Sequence, residues 1–377
     1  MQNKFNFTGE IVLPKKDSKM PFVQDKTITY TRNGKKIEDT LTTMNFGIKE
    51  SDNNMAFVEL TDSVKDIIKT YDTDNQKIEI DWEDRLDPDI IKTVANYRKY
   101  VVNLGDDFGG RCEFITRYDL LKYLEDALPT YKGKVLVVGD YSRSYSKGKY
   151  YDKFRVQSVY AVDEGRKNRL GLTIDFYYNK DCIDKADFKA EKKIYIDGYI
   201  QQYINNDEGN KYMPMQLVFN ATKYDMENEK HKALFDYKME YVDIKNKNMG
   251  HLAWEVVLIR GAETVEFTYD MLTEKQKQQV DLGIRELDDF KPKSNILGDK
   301  INEFRVFEPI IKDMGKDNDF SDGIIDLDMK MAEFEEQIYV PNAKEEKLED
   351  VVAKTAKTKE DADVPADESD DEKFDLF

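Results

Sequence analysis

Cysteine and histidine are almost missing from this chain: Cys112, Cys182, His231 and His251 are the only four in 377 residues. Two thiols cannot build a disulfide framework or a Cys-rich zinc site, and the two histidines have no carboxylate or thiol at ligand spacing. They read as surface or packing residues. No apolar run approaches the roughly 20 residues needed to span a bilayer, and the opening MQNKFNFTGEIVL lacks a signal-peptide core. The expectation is a soluble, cytoplasmic protein with reduced thiols and no membrane partner. Phosphate-binding motifs are missing too. In VVGDYSRSYSKGK glycine and lysine stand too far apart for a P-loop, and GDDFGGR lacks the strand-to-helix setting of a dinucleotide site. No cofactor is expected, and the chain reads as a non-enzyme. Asp81, Glu83 and Asp84, or Asp322, Asp326 and Asp328, could hold Mg²⁺, but among 76 Asp and Glu such clusters arise from composition alone. A metal-dependent nuclease is therefore the leading enzymatic alternative.

Positive charge is also in deficit. The formal net charge is -18, and the segment from Asn342 to Phe377 has thirteen acids against six lysines, which leaves the remainder at -11. Neutralising phosphates with Lys and Arg supplies most nucleic-acid affinity, so a binder of this composition needs a local basic face helped by something other than charge. Aromatics are plentiful, with 23 Tyr and 20 Phe, and 40% of residues are hydrophobic, enough for two or three domains with their own cores.

Along the chain, FNFTGEIVL, KTITYTRNGKKIEDTLTTMNFGI with its Asn33-Gly34 hairpin signal, NMAFVEL and KIEIDW read as strands. Asp62 is expected to cap a short helix over SVKDIIKTY, and Asp87-Pro88 to open a longer one ending at Gly105. YDLLKYLEDAL is a further helix, closed by Pro129. From Lys132 long strands dominate: KVLVVGDYSRSY and YYDKFRVQSVYAV across SKGK, then GLTIDFYYN. Lys134-VLVV-Gly139 is echoed by Lys193-IYID-Gly198, and strand glycines mark the bends that small barrels need. After VEFTYDML the pattern turns helical from Thr273.

Residues 141–160, YSRSYSKGKYYDKFRVQSVY, hold five cations and six aromatic residues against one acid, Asp152. Alternation along a strand places Tyr141, Arg143 and Tyr145 on one side of the outgoing strand, and Tyr151, Lys153 and Arg155 on one side of the return. The expectation is a single face carrying all six, with Lys147 and Lys149 at the turn. Such a face suits single-stranded nucleic acid, whose bases stack on rings for about 1–3 kcal/mol each while cations follow the phosphates. An ordinary solvated hairpin would look similar. Tyr199, Tyr203 and Tyr212, flanked by Asn, Gln and acids, read as core residues.

The order of strand, glycine bend, long hairpin and strand resembles an oligonucleotide-binding barrel. The ending DESDDEKFDLF is similar to the C-terminal tips of single-stranded DNA-binding proteins of bacteria and their phages. That resemblance implies that Asp370, Asp371 and Glu372 form an acidic run and Phe374, Leu376 and Phe377 an apolar anchor. It also implies that the tip recruits replication and recombination proteins and competes with DNA for the basic groove. Here Lys373 interrupts the acidic run, and the chain ends Leu-Phe where the bacterial tip has Ile-Pro-Phe.

The expected fold is α+β and β-rich. It divides into a mixed α/β segment over 1–130, read as a second related barrel, an oligonucleotide-binding-like barrel over 131–270, a helical region over 271–341 and a disordered acidic tail over 342–377. The expected partner is single-stranded DNA. The alternative outside enzymes is a viral structural or assembly protein, also β-rich and acidic but without a stacking face.

Overall fold

The computed structural model describes residues 3–15, 18, 20–32, 35–204, 209–245, 247–265, 267–292, 296–310, 325–326 and 331–340. Most of its strands join one large mixed sheet, which closes on itself twice. β1 (Lys4–Val12) is followed by the β2 (Val23–Arg32) and β3 (Lys35–Ser51) hairpin and by β4 (Asn54–Ser63). A long excursion then carries β5 (Ile67–Tyr71), β6 (Lys77–Asp81), α1 (Pro88–Thr93), β7 (Tyr100–Asn103), β8 (Arg111–Phe114) and α2 (Arg117–Ala127) before β9 (Lys134–Ser146) and β10 (Lys149–Ala161). β1 pairs with β3 and β9, β3 with β4, and β9 with β10, all antiparallel, while β10 returns to β4 through a parallel contact at Arg155 and Glu59. These five strands form a closed circuit, with α2 in the crossover between its third and fourth members.

The second half repeats this wiring. β11 (Arg169–Tyr178), β12 (Ile183–Asp184), α3 (Phe188–Glu191), β13 (Lys193–Ile204), β14 (Gly209–Asn220), α4 (Glu229–Val242), β15 (Gly250–Val265), α5 (Glu274–Asp281) and β16 (Ile296–Pro309) follow in order, with β17 (Ile325–Asp326) and α6 (Met331–Glu336) last. β11 pairs with β13 and β15, β13 with β14, β15 with β16, and β16 returns to β14 through a parallel contact at Arg305 and Val218. The crossover helix here is α4.

Glycine permits the bends. β1 pairs with β9 from Lys4 to Glu10, with β11 only before Gly9 and with β3 only after it, and a Cβ on Gly9 would lie 2.2 Å from the Lys49 carbonyl oxygen. At Gly139 a Cβ would meet the Arg155 carbonyl oxygen at 2.0 Å, so β9 and β10 could not cross so closely with any other residue there.

One apolar core runs through both circuits, from Phe5, Phe7, Phe46 and Phe154 to Phe176, Phe219 and Trp254. Between the circuits lies a polar joint. Asp152, 8% exposed, accepts hydrogen bonds from the Tyr141 hydroxyl at 2.8 Å and from Arg143 at 3.1 Å, both in the first circuit, and from Arg260 of the second at 3.1 Å. Arg143 also donates to the Pro214 carbonyl, and its backbone exchanges hydrogen bonds with the Gln202 side chain at 2.8 and 2.6 Å.

Several sequence expectations change. The division at residue 130 falls between the third and fourth strands of the first circuit, and the strands assigned to one barrel over 131–270 belong to two circuits. The expected helix at SVKDIIKTY is the end of β4 and β5: Ile68 and Thr70 are buried while Ile67 is exposed, a period of two. Asp87 does cap a helix, accepting from the Asp89 N–H at 2.8 Å, but α1 stops at Thr93 because Val94 is extended and bridges Asp72. The expected helical region contains β16, a central strand, besides α5 and α6. Arg32 pairs with Lys35, as a two-residue hairpin at Asn33-Gly34 requires, although those two residues lie outside the described set. The tail from 342 also lies outside it.

Candidate nucleic-acid interface

The β9–β10 hairpin turns on Lys147 and Gly148, whose φ values of 49° and 77° are both positive, as a two-residue loop of the primed type needs. With two loop residues Ser146 stands opposite Lys149, so odd positions of β9 face even positions of β10. Tyr145 therefore pairs with Tyr150, Arg143 with Asp152 and Tyr141 with Phe154, whereas Tyr151 and Lys153 sit opposite Ser144 and Ser142. The expected single face is thus split in two.

The inward side is structural. Tyr141 is 4% exposed, stacks on Phe154 at 5.4 Å and touches Phe304 of the second circuit at 5.7 Å. Burial, with Asp152 beside it, pushes its phenol well above the ordinary value. A ring so enclosed cannot receive a base. Arg143 is held by Asp152 and Pro214, with its guanidinium 5.3 Å from the Tyr150 ring centroid. Towards the tip Tyr145 and Tyr150 are half-buried and meet edge to face at 5.0 Å, with Tyr339 at 6.5 Å from Tyr145.

The outward side of β10 is different. Tyr151, Lys153 and Arg155 follow one another at alternate positions towards the exposed Lys147 and Lys149. Arg155, its side chain 49% exposed, meets Glu59 at 3.6 Å, and exposed pairs of this kind contribute about 0–1 kcal/mol. Among the described residues Lys153 and Lys147 have no carboxylate partner. At the far end a register shift frees Gln157, whose Nε2 donates to the Tyr97 carbonyl at 3.2 Å.

Other placements depart from expectation. Tyr212 is buried and Tyr199 packs on Phe334 at 5.3 Å, but Tyr203 is 69% exposed at the end of β13. Tyr97 and Arg98 lie at the end of this surface and went unread in the sequence; the pairing of Tyr150 with Tyr145 on the inward side follows from counting residues across a two-residue turn. Asp81, Glu83 and Asp84 do not gather: among the described residues no group of three or more His, Cys, Asp or Glu is arranged to hold a metal. Asp322 and Asp328 lie outside the described residues, as do Asp370, Asp371, Glu372, Phe374, Leu376 and Phe377. Among the described residues no helix is long and apolar enough to cross a membrane.

Among solved structures, a deletion mutant of the single-stranded DNA binding protein from Thermus aquaticus aligns with 68% of this chain and 87% of its own, at 10% identity and a TM-score of 0.25. No protein-family model and no curated protein matches the sequence.

Proposed function

We propose that the protein binds single-stranded DNA along the outward side of β10, and that its two circuits are oligonucleotide-binding barrels. The observation that carries this reading is the run Tyr151, Lys153, Arg155 on one side of a strand, with Lys153 unmatched by any described carboxylate in a chain of net charge -18. Rings take bases and cations take phosphates, which meets the charge deficit locally. The wiring supports the barrel assignment: the third and fifth strands close each circuit in parallel, and a helix fills the third crossover. In such barrels the loop between the fourth and fifth strands belongs to the binding surface, and here that loop is Lys147-Gly148. Lys147, Lys149, Tyr151, Lys153 and Arg155 contact the strand in this reading, while Tyr141, Arg143 and Tyr145, on the inward side, hold the hairpin in place.

The role is non-catalytic, protecting single strands during replication or recombination in the cytoplasm of a bacterium or of a phage's host. The acidic tail acts as a tethered competitor for the basic side of β10, and its displacement frees Phe374, Leu376 and Phe377 to recruit partners. The test is binding of fluorescent oligo-dT across a salt series by the full chain, by a chain truncated after Pro341, and by a Lys153→Ala, Arg155→Ala double variant. Truncation should tighten binding, and the double variant should bind more weakly with a salt slope shallower by about 1.4, at about 0.7 per lost phosphate contact. Absence of binding by either chain at low salt would overturn the reading.

A further inference from the structure

The excursion between β4 and β9 places a second ring-and-cation cluster at the end of the β10 surface. A 3₁₀ turn, Asn96–Arg98, leads into β7, which pairs in parallel with β10 at Ser158 and Val101. Gln157, next after Val156 on β10, is tied to this turn through the Tyr97 carbonyl. Tyr97 is 55% exposed, and its hydroxyl donates to Asn75 Oδ1 at 2.7 Å, where Asn75 holds a left-handed φ of 60°. The exposed Arg98 guanidinium lies 4.8 Å from the Tyr71 ring centroid and 5.3 Å from that of Tyr97.

Charge separates Arg98 from its neighbours. Lys92 is paired with Asp89 and Lys99 with Glu113. Nearby Asp72 accepts the backbone N–H groups of Asp74 and Gln76. Among the described residues Arg98 has no carboxylate partner, and it rests on aromatic faces instead. A planar cation on a tyrosine, beside an exposed ring anchored through its hydroxyl, is a stacking platform for a nucleobase with a phosphate contact at its edge.

We infer that Tyr97 and Arg98 form a distal subsite for the same single strand, so that DNA runs from the Lys147 turn along Tyr151, Lys153 and Arg155, past Gln157, and onto the Asn96–Arg98 turn. This rests on the single-strand reading of β10 and extends it by a defined length. Seven strand residues from Tyr151 to Gln157 cover about 20 Å at about 3.3 Å each. Short oligonucleotides therefore occupy the hairpin alone, and only longer ones reach Tyr97.

The experiment is a length series of oligo-dT, from about 4 to about 16 nucleotides, titrated into the full chain and its Tyr97→Ala, Arg98→Ala and Lys153→Ala variants, with thermal melting to confirm folding. In the unaltered protein affinity should rise with length. Tyr97→Ala and Arg98→Ala should leave the shortest oligomers unaffected and weaken the longest by about tenfold, the scale of one lost stacking contact. Lys153→Ala should weaken every length. Photo-crosslinking of a 5-iodouracil-substituted long oligomer should label Tyr97. Equal binding of long oligomers by Tyr97→Ala, Arg98→Ala and the parent overturns the distal subsite while leaving the hairpin reading intact if Lys153→Ala still weakens binding. No binding at any length by the unaltered protein overturns both.

Discussion

The two circuits share their wiring but not the surface of their fifth strands. β10 reads Lys153-Phe-Arg-Val156 and β16 reads Glu303-Phe-Arg-Val306, and in each the arginine sits at the parallel contact that closes the circuit. Phe154 and Phe304 are both buried, so the same residues build the same turn of wall. Just before the phenylalanine the chains diverge. Glu303 holds Arg305 at 2.7 Å and Lys193 at 2.9 Å in a cluster where Glu303 and Arg305 side chains are only 11% and 14% exposed. In the first circuit lysine stands in the glutamate's place, and Arg155 stays half in solvent. A cation locked to a buried carboxylate serves stability; one left in water can be exchanged for a phosphate. The same scaffold thus holds one arginine in a buried ion cluster and leaves its counterpart half in solvent.

The joint between the circuits is the place to break this pair with the largest effect. Asp152→Ala would leave Arg143 and Arg260, with side chains 15% and 21% exposed, without their shared carboxylate. Removing one member of such a buried network costs about 3–5 kcal/mol. Urea unfolding of the variant should show a midpoint lowered accordingly. An unchanged midpoint would mean that the circuits are held without this carboxylate, by their apolar core, the β1–β11 and β4–β15 pairings and the Arg143 bonds to Gln202 and Pro214.

Strands were the legible part of the sequence, because Val, Ile, Phe and Tyr alternate with polar residues over β1, β3, β4, β9, β10 and β11. Their grouping was hidden. The Lys134 and Lys193 echo sets a fourth strand beside a second, since strand glycines recur at several bends and do not label position. The Phe-Arg-Val repeat at 154–156 and 304–306 marks equivalent strands, yet three residues stand out only once the closing contacts are known. The proposed binding stretch was legible as composition and misread as geometry: alternation assigns sides within a strand, whereas the loop length decides which sides of two strands coincide. Helix periodicity misled at Ile90–Val101 because a short helix, a turn and a buried strand in succession imitate it.

Smaller changes sharpen the comparison. Lys153→Glu gives the first circuit the second's residue on a half-exposed strand side where Lys153 has no described carboxylate partner, so folding stability should stay within about 0.5 kcal/mol. Oligo-dT binding at low salt should nevertheless fall by about tenfold, or about 1.4 kcal/mol, and unchanged affinity would move the binding surface away from β10. The smallest expected effect is in acid. Burial alone would raise the Glu303 carboxyl, but hydrogen bonds from Lys193 and Arg305 outweigh it and hold its pKa below the ordinary 4.5. A pKa depressed by folding contributes stability that is complete above the unfolded value and is lost as pH falls through the folded one. The parent protein should therefore lose stability below about pH 4.5, and Glu303→Gln should flatten that part of the profile. Lys153→Glu should leave it unchanged, because a glutamate at this half-buried position of β10 lacks the buried lysine and arginine that depress its counterpart.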